Sequence, residues 1–169
     1  RGAGTTTAGC IVVRRELEER GVPLTVFHNR RWDSDQLTLR RLLDEGALGR
    51  VHRYESRFER WRPELRPDAW RETTPPEAGG GLLLDLGTHL VDQALTLFGP
   101  AAEVYGEVES VRGGVSDDDV FVAIAHEGGV HSHLWASSVT ADRGPRLRVL
   151  GDEAAFVVDE LDGQEEALA

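Results

Sequence analysis

A chain of 169 residues, 40% apolar and 29% charged, has the composition of a globular domain and is long enough to bury one substantial core. Its 30 acidic residues outweigh 19 basic ones for a net charge of −11, which argues against nucleic acid or an anionic membrane as a partner, and all 19 basic residues are arginine, so no lysine can serve as acid, base or Schiff-base amine. The single cysteine, Cys10, excludes an internal disulfide and a cysteine-based zinc site and points to a reducing, cytoplasmic setting, and no apolar run approaches the roughly 20 residues of a membrane span.

The first nine residues, "RGAGTTTAG", carry glycines without a preceding strand and are read as a ragged end rather than a dinucleotide loop. Residues 10–20 have a helical composition that stops at Gly21, and "VPLTVFH" (22–28) is an apolar run expected as a strand covered on both faces. Asp33 opens a second helix with capping-box spacing to Gln36; Leu39, Leu42 and Leu43 form its core stripe and Gly46 ends it. The period then changes to two: 51–60, 103–111, 119–127, 129–138, 146–151 and 154–159 read as strands, with glycine-containing turns at 127–129 and 151–153. The expected fold class is α+β: a mostly antiparallel, open-faced β-sheet with helices on one face, preceded by the end of an α/β unit. In "DVFVAIAHE" apolar residues fall on both parities, so the uncovered face is expected to need a partner, most simply a second copy in a homo-dimer.

Residues 61–78, "WRPELRPDAWRETTPPEA", are expected to be neither helix nor strand, and Trp61, Arg62, Trp70 and Arg71 are large side chains suited either to closing over a ligand or to covering a sheet edge. They lead into "GGGLLLDLGTHLVDQALTLFG" (79–99), an apolar helix in which Asp85, His89, Asp92 and Thr96 share a stripe about 60° wide. Asp85 and His89 are one turn apart, so the carboxylate could orient the imidazole and raise its basicity for accepting a substrate proton. Two other readings stay open: a polar cluster satisfied within the core, and a metal site to which His131 and His133 would add ligands.

"HNRRWDSDQLTLRRLLDEGALGRV", "ESRFER" and "GGGLLLDLGTHLVDQALTLFGP", in that order, resemble the C-terminal domain of the Gfo/Idh/MocA oxidoreductases, the glucose–fructose oxidoreductase and inositol dehydrogenase group, from about residue 22 onward. The resemblance implies a dihydrodipicolinate reductase-like domain at 29–169 that supplies the substrate site and the oligomer contact, as a dimer or tetramer. Residues 1–28 would be a remnant, its last helix and strand, of a Rossmann domain binding NAD or NADP. It implies catalytic roles for Asp85 and His89 and a place for Asn29 near the nicotinamide and substrate; with the loop and stripe readings above, substrate contacts are expected from Asn29, Trp70, Arg71 and Asp92, cofactor contacts from Asn29 and Arg30, and no metal. The family's glycine-rich loop and its Glu-Lys-Pro lysine have no counterpart here, and a full cofactor half needs on the order of 120 residues before its last strand. The chain is therefore expected to be incomplete, inactive alone and without bound cofactor, and "DELDGQEEALA" (159–169) reads as a segment that continues. Two functions stay open. One is the substrate domain of an oxidoreductase acting on the CH-OH group of a sugar, cyclitol or similar polyol; the other is a non-catalytic ligand-binding or dimerisation module.

Overall fold

The computed structural model describes residues 7–160; the readings placed on 1–6 and on 161–169 lie outside them. Helix α1 (Thr7–Glu19) is followed by a segment without regular secondary structure, a 3₁₀ turn (Asn29–Trp32) and helix α2 (Ser34–Asp44). Strand β1 (Val51–Glu59) precedes a long connection containing a short helix α3 (Trp70–Thr73) and a 3₁₀ turn (Pro76–Ala78). A π-helical turn (Leu83–Gly87) runs directly into helix α4 (Thr88–Phe98). Strands β2 (Ala101–Glu109), β3 (Asp119–His126), β4 (His131–Ser137), β5 (Leu147–Gly151) and β6 (Ala155–Val158) complete the domain.

All six strands join one sheet in the order β2-β3-β4-β1-β5-β6, antiparallel except for the parallel β1–β4 pair. The period-two alternation decides its two faces. Tyr54 and Phe58 of β1, Val120, Val122 and Ile124 of β3, Leu134 and Ala136 of β4, and Leu147 and Val149 of β5 are buried. Against them pack Leu39 of α2 and Leu90 and Ala94 of α4 in a single core. The opposite face carries a cross-strand aromatic row, Tyr105, Phe121 and Trp135, with the Arg57 guanidinium 4.0 Å from the Trp135 ring centroid. Glu55 on that face is held between Arg57 (2.9 Å) and Arg148 (2.6 Å). The edge strand β2 is exposed along its whole length, and its charges at Glu103, Glu107 and Glu109 discourage edge-to-edge pairing.

Several local expectations need correction. Residues 22–28 form no strand: they have no regular secondary structure, and Val26 and Phe27 are 72% and 74% exposed, because no described strand lies beside them to complete a ladder. The capping box of α2 does not form, since the Asp33 carboxylate turns back to Arg30 at 3.3 Å and the Gln36 N–H donates instead to Asp35. The 61–78 connection is not wholly irregular, as α3 and the second 3₁₀ turn show. The 79–99 helix is not one buried α-helix either. Its first turn is π-helical, and its polar stripe lies at the protein surface boundary, partly exposed rather than sealed in the core. No helix among the described residues is long and apolar enough to cross a membrane.

Candidate active site

The start of the α4 segment is built by glycine geometry. Gly79 and Gly81 have φ of 98° and 94°, the left-handed region that side-chain-bearing residues avoid. A Cβ on Gly80 would stand 1.7 Å from the Thr74 carbonyl oxygen, and one on Gly81 would stand 1.9 Å from Asp117 Oδ1. That close approach lets Asp117 cap the helix start: its carboxylate accepts the Leu83 N–H at 2.7 Å and its carbonyl the Leu82 N–H at 3.2 Å. Gly81 N–H donates to the Arg71 carbonyl at 2.9 Å, which pins α3 beside the helix. Gly81→Ala is expected to destabilise the domain by on the order of 2 to 3 kcal/mol, from strain and the clash with Asp117. Denaturant unfolding checks this, and an unchanged midpoint would show that the turn relaxes freely.

The π turn changes what the four-residue spacing does. Asp85 belongs to that turn and His89 to the α-helix after it, so the phase of a regular α-helix does not carry from one to the other. No hydrogen bond joins Asp85 to His89. The Asp85 carboxylate instead pairs with Arg71 Nε at 2.8 Å, and the Arg71 guanidinium lies 5.1 Å from the centroid of the exposed Trp70 ring. Trp61 makes an isolated bridge to Val139 at the sheet margin.

His89 faces the segment before α2. Its ring meets His28 edge-on at 5.7 Å between centroids, and its Nδ1 is buried without a hydrogen-bond partner. Asp92 accepts both arms of Arg31, at 2.7 and 2.5 Å, and lies 3.7 Å from His28 Nδ1, too far for a hydrogen bond. Gln93 donates to the Arg30 carbonyl at 2.9 Å, so two successive residues of α4 hold the Asn29–Trp32 turn. Asn29 itself is exposed at the start of that turn. Burial lowers the proton affinity of His89 below the ordinary imidazole value, and the positive charges of His28 and Arg30 lower it further, while Asp85 and Asp92 pull the other way. The hydrogen bond from Arg31 holds the Asp92 carboxyl below the usual carboxylate range. At neutral pH the site therefore holds a neutral imidazole that feels the charges of Asp85 and Asp92, each paired with its own arginine.

His131 and His133 do not join this cluster. They lie on the opposite face of the sheet, where His133 packs against Phe121 and Trp135, and only Ser132 between them faces inward, bonded to His126 at 2.8 Å. Among the described residues no three His, Cys, Asp or Glu converge as a metal cage. A concavity of about 640 Å³ lined by Arg57, Glu59, Arg143 and Arg146 among others includes none of Asp85, His89 or Asp92.

Four residues that sequence reasoning did not single out support the site. His28, Arg31 and Asp117 are described above. The fourth, Arg112, is buried and donates to the carbonyls of Arg62 and Glu64, both at 3.1 Å, and to the carboxylates of Glu72 (3.3 Å) and Asp118 (2.8 Å). It thereby fastens the 61–72 connection from behind.

The chain belongs to the GFO/IDH/MocA family and matches the model of its C-terminal domain over residues 36–157. It is 37% identical over 156 residues to scyllo-inositol 2-dehydrogenase (NADP(+)) IolW of Bacillus subtilis, covering 92% of this chain and 43% of that protein. It is 44% identical over 148 residues to the uncharacterized oxidoreductase YdgJ of Escherichia coli, covering 88% of this chain and 42% of that protein. Among solved structures, an NAD-binding protein from Listeria innocua superposes with a TM-score of 0.84 at 26% identity, covering 94% of this chain and 46% of that one. An oxidoreductase from Bacillus cereus does so with a TM-score of 0.81 at 26% identity, covering 96% and 53%. The chain thus spans less than half the length of the curated relatives it matches.

Proposed function

We propose that residues 29–169 are the substrate-binding and catalytic domain of an NAD(P)-dependent oxidoreductase that acts on the CH-OH group of a sugar, cyclitol or similar polyol in the cytoplasm, and that residues 1–28 are the end of its dinucleotide-binding domain. The observation that carries this reading is His89: a half-buried imidazole held neutral by its surroundings, with two carboxylates placed to stabilise its cation.

Oxidation of a secondary alcohol removes a hydride from carbon and a proton from oxygen. A bound nicotinamide dinucleotide supplies the two-electron acceptor for the hydride. The proton falls to His89, and since Nδ1 is buried, Nε2 is the nitrogen left for the substrate hydroxyl. The imidazolium that forms is stabilised by the charges of Asp85 and Asp92. Arg71 and Arg31 hold those carboxylates in place, and Trp70 and Arg71 stand at the margin where a polyol would lie.

For the cofactor, the described residues fit the nicotinamide end only. Exposed Asn29 and its neighbour Arg30 sit on the turn that Gln93 and Asp92 anchor beside His89, and they are the residues we assign to it. The test is reduction of NAD or NADP by the full-length protein with a panel of polyols. Reduction with at least one secondary-alcohol polyol is expected, and none with any would leave the alternative of a non-catalytic module. We further propose that the open face is the contact of a homo-dimer or tetramer, supported by the Tyr105, Phe121 and Trp135 row on it. Light scattering is expected to give at least a dimer at micromolar concentration, and a stable monomer would contradict it.

A further inference from the structure

The arginines around the site are paired one by one, with two exceptions. Arg30 has Asp33, Arg31 has Asp92, Arg66 has Glu72 and Arg71 has Asp85. Arg60 and Arg62 have no carboxylate within ion-pair distance among the described residues, although the chain as a whole carries an excess of eleven negative charges. Arg60 is half-buried as well. It follows β1 on backbone that is fixed from both sides: its N–H donates to the Ser137 carbonyl at 2.9 Å, its own carbonyl accepts the Thr140 N–H at 3.2 Å, and the Arg62 N–H donates to Ser138 at 2.7 Å.

Arg60 feels the charges of Arg62, Arg66 and Arg71, and that of Asp85 in the opposite sense. Burial first, and then those like charges, lower its proton affinity, with Asp85 opposing them. An unpaired guanidinium that is half withdrawn from water among other cations is costly, and it is a vacancy for an anion. Its planar fork suits two oxygens of a carboxylate or a phosphate. The strand β4 that holds the Arg60 backbone also packs against the π-helical turn carrying Asp85, which sets Arg60 on the Asp85 side of the site.

We infer that the substrate is an anionic polyol, a sugar bearing a carboxylate or a phosphate, whose charged group is taken by Arg60 with Arg62 beside Asp85 while its reacting hydroxyl meets His89. This rests on the polyol reading above. The specificity would lie in a charge-assisted hydrogen bond that a neutral polyol cannot make, worth about tenfold or more in affinity.

Calorimetric titration of the full-length protein carrying this domain with D-glucuronate, D-glucose 6-phosphate, D-glucose and NAD tests it, in wild type and in Arg60→Gln. The expected result is that glucuronate or glucose 6-phosphate binds about tenfold more tightly than glucose, that the advantage shrinks as salt is added, and that Arg60→Gln removes it without changing the melting temperature. Whichever of the two charged sugars keeps the advantage identifies the anion as carboxylate or phosphate. Glucose binding as tightly as both charged sugars, or an advantage that survives in Arg60→Gln, overturns the inference and leaves the polyol reading standing. Binding of no sugar at all overturns both. Arg60-dependent binding of NAD without any preference for charged sugars would give the site to the dinucleotide's phosphates and overturn the assignment to substrate.

Discussion

Replacing His89 with alanine in an enzyme carrying this domain is expected to lower turnover by about 10² to 10⁴, the worth of a positioned general base, with little change in unfolding free energy. His89 is half-exposed and its inward Nδ1 makes no hydrogen bond, so its removal breaks no hydrogen bond at that nitrogen. A histidine whose work was structural would behave in the opposite way, with about 1 to 3 kcal/mol lost on truncation and chemistry intact once folded. Turnover and denaturant unfolding of the same variant separate the two. Asp85→Asn is expected to give a smaller rate defect, because it weakens the stabilisation of the His89 cation and releases Arg71 without removing the base.

Arg112→Ala is expected to produce the largest loss of stability of any single change near the site, about 3 kcal/mol or more. Its guanidinium neutralises Asp118, which is 2% exposed, and reaches Glu72 and two loop carbonyls, so truncation leaves a buried carboxylate without its cation and the 61–72 connection without its anchor. Since that connection delivers Arg71 to Asp85, the Michaelis constant is expected to rise along with the loss of stability. Chemical unfolding monitored by tryptophan fluorescence checks the first effect, because Trp61 and Trp70 both sit on the anchored segment. An unchanged midpoint would show that Glu72 and Asp118 find other partners.

The strands were legible in the sequence because their information is local. In "DVFVAIAHE" the alternation of Val120, Val122 and Ile124 with Phe121, Ala123 and Ala125 maps directly onto the buried and open faces, and Gly129, with φ of 84°, turns the chain after β3 as its position suggests. Residues 22–28 show where local information stops, since an apolar run predicts a covered strand only if neighbours exist to cover it. The site was half legible. The glycines at 79–81 and the Asp85, His89, Asp92 spacing mark the place, but the phase between Asp85 and His89 was read as regular α-helix. The π turn that alters it depends on Asp117, whose carboxylate reaches Leu83 across 34 positions of sequence. Arg31 meets Asp92 across 61 positions, and Arg112 meets Arg62 across 50. No periodicity or spacing rule carries pairings of that range, so the carboxylates' partners could be found only in the folded chain.

The central claim, that His89 is the group taking the substrate proton, is tested most directly by the pH dependence of kcat/KM. Burial and the neighbouring cations lower the His89 proton affinity from the ordinary value of 6.5, so the neutral, proton-accepting form persists below that pH. The same shift makes stability rise with pH between the folded value and 6.5, because there the unfolded state binds the proton more readily. In the wild-type enzyme kcat/KM is predicted to rise with pH through a limb whose midpoint lies below 6.5 and to level off toward neutrality. In His89→Gln the residual rate is predicted to show no such limb. A limb of the same midpoint persisting in His89→Gln would assign the proton acceptor to another group and contradict the account.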